Sequence, residues 1–253
     1  MFARNIIMVV SVLSLVACSC GKKTASTIQQ VYEKASPDFN ADSAYNYVDK
    51  QVAFGPRVPN TAEHVACGDY LVAELKRFGA DVYEQKMELQ TFDKVKLNAR
   101  NIIGSYNREN SKRVLLFAHW DSRPFSDRDQ NEDNHHKALL GANDGASGVG
   151  ALLELARNIQ AKSPNIGVDI IFFDAEDWGP PAFLENEPEG DWWCLGSQYW
   201  SKNPHVADYK AKYGILLDMV GAPDATFYKE YYSKENAGGV VEKVWSVARQ
   251  LGF

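Results

Sequence analysis

The sequence contains no C-x-x-C pair and only four cysteines, so a thiolate zinc site does not suit it. It carries no stripe of lysine and arginine, and its net charge of -6 argues against a nucleic-acid partner. No repeat and no low-complexity segment interrupts it. Its early apolar run, Ile6 to Val16, is too short to remain in a bilayer as a spanning helix.

What is present is an ordinary enzyme-like composition, 45% apolar and 12% aromatic with six tryptophans, in 253 residues. That length suffices for one sizeable core, and a single α/β domain over residues 40–253 is the simplest arrangement. Residues 1–20 read as an export segment, with Arg4 ahead of the apolar run. The run ends in Leu15-Val16-Ala17-Cys18, which resembles a bacterial lipobox. On that reading Cys18 is acylated, and the protein is exported, tethered to a membrane through lipid and facing the periplasm or cell surface. A plain secretory signal is the alternative. Residues 21–39 are polar and read as a flexible tether. Cys20 falls in that tether, and an oxidising compartment would permit a bridge between Cys67 and Cys194 that the sequence does not decide.

Along the domain, residues 41–52 suggest a helix. Thr61 is placed to cap a second helix, with Leu71, Leu75 and Phe78 on one face and Gly79 at its close. Strands are expected over 81–92, 99–105 and 114–118. Arg123 to Lys137 is long and charged and reads as a surface excursion. Val149, Leu152, Leu153, Ala156 and Ile159 recur at helical spacing. Residues 168–173 read as a buried strand. Gly179 to Gly196 is irregular, and a further helix begins near Ser197. Residues 214–218 suggest another buried strand, and 239–251 a last helix with Val240, Val244 and Val247 on one face. This alternation predicts an α/β fold, a mostly parallel, mixed and twisted sheet flanked by helices on both faces. The chain stops directly after a helix at Phe253, so the domain is expected to be C-terminally truncated.

The apolar strands end in acids. Ile170-Ile171-Phe172-Phe173 runs into Asp174-Ala175-Glu176-Asp177, His119 and Asp121 end one strand, and Asp218 ends another. Asp144 sits at a Gly-rich turn into a helix, on the same side by right-handed β-α-β connection. Taken singly, Asp144 is an N-cap, His119 a rim histidine and Asp218 a turn residue. Together they collect at the carboxyl edge of the sheet, where ligands of such sheets bind. Crowded carboxylates repel unless a cation or a proton lies among them. Imidazole with carboxylates suits Zn²⁺.

The order His119-x-Asp121, Asn143-Asp144, Glu176-Asp177, Asp218 resembles the M28 zinc exopeptidases, whose fold is phosphorylase/hydrolase-like. Within them, Phe54-Gly55-Pro56-Arg57-Val58-Pro59, Ala118-His119-Trp120-Asp121-Ser122 and Phe172-Phe173-Asp174-Ala175-Glu176 are similar to motifs of the zinc-dependent glutaminyl cyclases. Asp218-Met219-Val220-Gly221-Ala222-Pro223 is cyclase-like rather than peptidase-like. The resemblance implies conversion of the N-terminal glutamine of a peptide or protein to pyroglutamate, with release of ammonia and one Zn²⁺ as cofactor. It implies Glu176 as acid/base, Asp218 as the group that orients the leaving nitrogen, and Asp144 and Asp177 as metal ligands. Asp177 stands where the family pattern has Glu. A third ligand, a late histidine, is expected beyond residue 253.

A zinc aminopeptidase uses the same set, with His119 and Asp218 then holding a second ion and Glu176 activating water. A binding lipoprotein on the same fold is a further alternative. Trp178, Trp192 and Trp193 follow the acid pair and are candidates for substrate-pocket walls, or simply pack a long loop.

Overall fold

The architecture comes from a computed structural model, which describes residues 36–253. The export segment, Cys18, Cys20 and most of the expected tether lie outside the described residues.

The chain is built around a strand rich in Val, Ile and Phe, β4 (Gly167–Phe173), buried along its whole length. Alternate side chains serve opposite faces, as strand geometry dictates. Ile170 and Phe172 join one hydrophobic cluster, and Ile171 and Phe173 join another. The one charged residue of β4, Asp169, is buried and satisfied. It accepts from Arg113 Nε (2.8 Å) and Nη2 (2.6 Å), from Ser105 Oγ and from the Tyr209 hydroxyl.

The other strands are β1 (Asp81–Gln90), β2 (Lys96–Tyr106), β3 (Arg113–His119) and β5 (Gly214–Leu216), in the sheet order β1-β2-β4-β3-β5. β3 runs parallel to both β4 and β5, whereas β2 runs antiparallel to both β1 and β4. The sheet is therefore mixed, with its parallel part at the end that carries the site. The helices are α1 (Ala41–Val52), α2 (Ala62–Arg77), α3 (Ala146–Ala161), α4 (Leu195–Lys202) and α5 (Tyr231–Gln250).

Helices α2 and α3 cover one face, where Leu71, Leu75, Val149, Leu152 and Leu153 are fully buried. α4 covers the other, with Trp200 packed on Phe173. Thr61 caps α2 by accepting from His64 N, and Gly79 follows the helix with φ of 79°. α1 is held to α3 through Asn40, whose backbone N–H donates to the buried Glu154 carboxylate at 2.8 Å.

Several expectations need correction. The strand expected over 214–218 pairs only as far as Leu216 and is not buried, because it lies at the edge of the sheet among the described residues. Leu216 is 53% exposed. α5 starts at Tyr231, where the Glu230 side chain accepts from the N–H groups of Tyr232 and Ser233, and it kinks at Ala237. Its buried residue is Val241, while Val244 is exposed. The segment 123–137 is not wholly a surface excursion, since Arg123, Ser126 and Asp127 are buried. Cys67 and Cys194 are both free thiols. Cys67 lies in the core on α2, and Cys194 lies beside Glu176.

Candidate active site

Parallel β3, β4 and β5 deliver their carboxyl ends to one edge. His119 is the last residue of β3, Asp174–Asp177 follow β4 directly, and Asp218 lies just past β5. Asp144 precedes Gly145, the N-cap of α3. Gly145 has φ of 88°, and a Cβ there would lie 2.6 Å from the Asp121 carbonyl, so this turn admits only glycine. The buried Arg57 guanidinium secures the same turn by donating to the carbonyls of Leu140 and Gly141.

His119 is the hub. Its Nε2 lies 2.9 Å from Asp144 Oδ1 and 3.5 Å from Asp218 Oδ1, and its Nδ1 lies 3.3 Å from Asp121 Oδ1. Glu176 Oε2 is 3.9 Å from Nδ1. Burial works against a charged imidazole, but the bonds to Asp121, Asp144 and Asp218 outweigh it and hold the ring well above its ordinary range. The bond with His119 in turn keeps Asp218 below the usual carboxylate range, against the effect of burial.

The acid pair behaves oppositely. Burial, with the charges of Asp121 and Asp218, raises Glu176. Asp177 is pushed up to about 8 by burial and by the charges of Asp121, Asp144 and Glu176, with Arg123 opposing. Negative charge here exceeds the positive charge facing it, which is the condition that favours a bound cation or proton. Ligand-capable atoms of His119, Asp144 and Asp218 all lie within 4.8 Å of one another, a borderline donor set that suits zinc. Asp177 stands outside that trio, with its carboxylate 3.3 Å from Arg123 Nη1.

Buried groups to which the sequence alone assigned no catalytic or ligand role hold this arrangement. Asp121, fully buried, accepts from Glu176 N at 3.1 Å and from Asp177 N at 3.2 Å. Its own carboxyl is lowered: burial alone would raise it, but the His119 bond and these backbone donors prevail. Asp174 accepts from His64 Nε2 at 2.9 Å, from Arg100 N at 2.6 Å and from Ala175 N at 2.8 Å. His64 stacks on Trp120 with ring centres 4.2 Å apart. Arg123 grips Asp127 through Nε and Nη2 at 2.7 and 2.8 Å and donates through Nη1 to the Asp177 carbonyl at 3.0 Å.

Beside the site opens a cleft of about 790 Å³ whose lining includes Asp144, Arg123, Trp193 and Met219. Of the tryptophans, Trp193 forms part of this wall, with Arg123 4.8 Å from its ring centre. Trp192 donates from its indole to the Glu189 carbonyl at 2.9 Å and does not line the cleft. Trp178 packs against the cluster of Met87, Leu97, Ala99, Ala175 and Leu195.

A mixed sheet presenting His119, Asp144, the Glu176-Asp177 pair and Asp218 at its carboxyl edge is the arrangement of a metallo-exopeptidase fold, and the chain belongs to peptidase family M28, which matches residues 101–253. Its solved structural neighbours include bacterial glutaminyl cyclases. The glutaminyl cyclase of Bacteroides thetaiotaomicron, solved with N-acetylhistamine, is 58% identical with a TM-score of 0.85, and the match covers 86% of this chain and 74% of that one. A Zn-dependent exopeptidase of Parabacteroides distasonis is 66% identical at the same TM-score of 0.85 and the same coverage, 86% and 74%. Glutaminyl-peptide cyclotransferase of Drosophila melanogaster is 28% identical over 192 residues, 72% of this chain and 49% of that protein. The chain thus spans about half the length of the curated relatives it matches.

Proposed function

We propose that the protein is a zinc-dependent glutaminyl-peptide cyclotransferase. It acts on peptides and proteins that begin with glutamine, and it is an exported lipoprotein anchored through Cys18. The observation that carries the enzymatic reading is the Glu176 carboxyl, half-buried at the mouth of β4, raised by burial and facing His119 and Asp218. A carboxyl raised towards neutrality can both accept and return a proton. Similarity to the Bacteroides thetaiotaomicron cyclase supports the same reading.

In the proposed reaction Glu176 takes a proton from the substrate α-amine as that nitrogen attacks the γ-carbonyl carbon of the first residue. The carbon–nitrogen bond to the side-chain amide then breaks. Glu176 returns the proton to the departing nitrogen, which leaves as ammonia while the ring closes. Asp218, kept ionised by His119, accepts a hydrogen bond from that nitrogen and orients it. Asp144 and Asp177 would hold the Zn²⁺, and residues 219–253 contain no histidine to match the late ligand of the family pattern. The bound ion would supply Lewis-acid polarisation of the γ-carbonyl. Trp193 forms the aromatic side of the cleft where the peptide would lie.

The test is mass measurement of a peptide beginning with glutamine, after incubation with the full-length, zinc-loaded protein. Loss of one ammonia with the chain otherwise intact is expected, and Glu176→Gln should reduce kcat by about 10²–10⁴-fold without altering zinc content. Loss of the whole first residue would instead identify an aminopeptidase. That second reading is favoured by the trio His119, Asp144 and Asp218, which can hold a second ion. An intact peptide with zinc bound would count against both.

A further inference from the structure

The mechanism leaves one polar contact of the acid/base unused. Cys194 Sγ lies 3.3 Å from Glu176 Oε1. Among the described residues it is the one hydrogen-bond donor that reaches this carboxylate. The other oxygen, Oε2, faces His119 Nδ1 at 3.9 Å.

The contact is built into the backbone. Cys194 N donates to the Glu176 carbonyl at 2.9 Å, Leu195 N to that of Ala175 at 3.0 Å, and Gly196 N to that of Asp174 at 3.1 Å. The two segments therefore run side by side in fixed register from the end of β4. Close approach depends on Gly196, since a Cβ there would lie 2.1 Å from the Asp174 carbonyl oxygen. Ala175 and Cys194 both take left-handed backbone conformations, with φ of 52° and 56°. Non-glycine residues keep such conformations only where their surroundings enforce them.

We infer that Cys194 is a positioning residue for the proposed cyclisation: its thiol donates to Oε1 of Glu176 and so presents Oε2 as the oxygen that takes up and returns the proton. With Oε1 occupied, rotation of the carboxyl about its last bond is restrained. Glu176 being the acid/base is the premise, taken from the proposed function. The proton that makes the bond is retained at neutral pH, because burial and the Glu176 charge push the thiol up to about 12. The same property makes Cys194 a poor nucleophile, since the thiolate is the reactive form.

Two measurements on the full-length protein test this. Cys194→Ala should lower kcat for a glutamine-initiated peptide about tenfold, as expected for loss of about 1.4 kcal/mol in the transition state. KM should stay within about twofold, because substrate binding is not what the thiol serves. Cys194→Ser, which keeps a donor, should recover most of the lost rate. Independently, the infrared difference between wild type and Cys194→Ser isolates the S–H stretch of this thiol. In a Glu176→Ala background that band should move to higher frequency as the hydrogen bond is lost. Wild-type kcat in Cys194→Ala, or a band indifferent to Glu176→Ala, would overturn the assignment. If the wild type cyclises nothing, the proposed function fails, and the band still decides whether Cys194 orients Glu176. The infrared measurement also stands if Cys194→Ala does not fold.

Discussion

Asp121 is bonded to the backbone of Glu176, accepting its N–H at 3.1 Å from a fully buried position. The end of β3 thereby fixes the loop that leaves β4. Asp121→Ala would strand the buried N–H groups of Glu176 and Asp177. Each such group costs about 1–3 kcal/mol, so a loss of about 3 kcal/mol in stability is expected by denaturant unfolding. Asp121→Asn keeps one acceptor, should lose less stability, and should still lower kcat because the loop is held by one bond in place of two.

The Arg123–Asp127 pair predicts an acid response. The Asp127 carboxyl is held down to about 2, chiefly by its hydrogen bond from Arg123 and against burial. Its folded value lies below its unfolded value, so the stabilisation is fully present above about pH 4 and is lost as pH falls through about 2. Asp127→Asn should destabilise the protein at neutral pH by about 2 kcal/mol, because the buried guanidinium loses its bidentate carboxylate and keeps only the Asp177 carboxylate and nearby carbonyls. It should also flatten the acid limb of a Tm–pH curve. An unchanged limb would mean that the pair does not contribute.

Two tryptophans should separate by phenotype. Trp193 lines the cleft and is 38% exposed. Trp193→Ala is expected to raise KM for peptide substrates severalfold with little change in Tm. Trp178 packs against the cluster of Met87, Leu97, Ala99, Ala175 and Leu195, and Trp178→Ala should cost about 3 kcal/mol of stability, near the lower end for loss of a packed tryptophan. Thermal melts beside steady-state kinetics would distinguish the two, and the reverse pattern would exchange their roles.

Membrane attachment is testable without activity. Cells fed an alkyne-tagged fatty acid should label the wild-type protein, and Cys18→Ala should abolish the label and move the protein from the membrane fraction to the soluble one. Labelling that persists in Cys18→Ala would refute anchoring at that residue.

Much of the site was legible along the chain because the relevant polar groups directly follow apolar strands. The apolar runs of β3 and β4 are buried, and the polar groups beyond them emerge at the strand end, whereas the run before Asp218 lies exposed at the sheet edge. Thr61 and the helical spacing of Leu71 and Leu75 place α2 in the same local way. The alternation of strands and helices indicated an α/β sheet with helices on both faces. It indicated a mixed sheet but not that β2 runs antiparallel to both its neighbours, because strand direction is decided by pairing partners.

What only the tertiary structure decided are contacts between residues distant in sequence. Arg123 reaches Asp177 across 54 positions, and Asp121 reaches Glu176 across 55. Such partnerships leave no periodic trace, so the charged stretch after Ser122 read as surface when its first residues are buried. Folding likewise placed His119 between Asp144 and Asp218, and Asp177 against Arg123. The sequence by itself determined which acids stand at the sheet edge, since burial of apolar strands is a local requirement. Three-dimensional packing determined which neighbours each acid meets, and so which carboxyls are raised and which lowered, since those neighbours are brought together only by the fold.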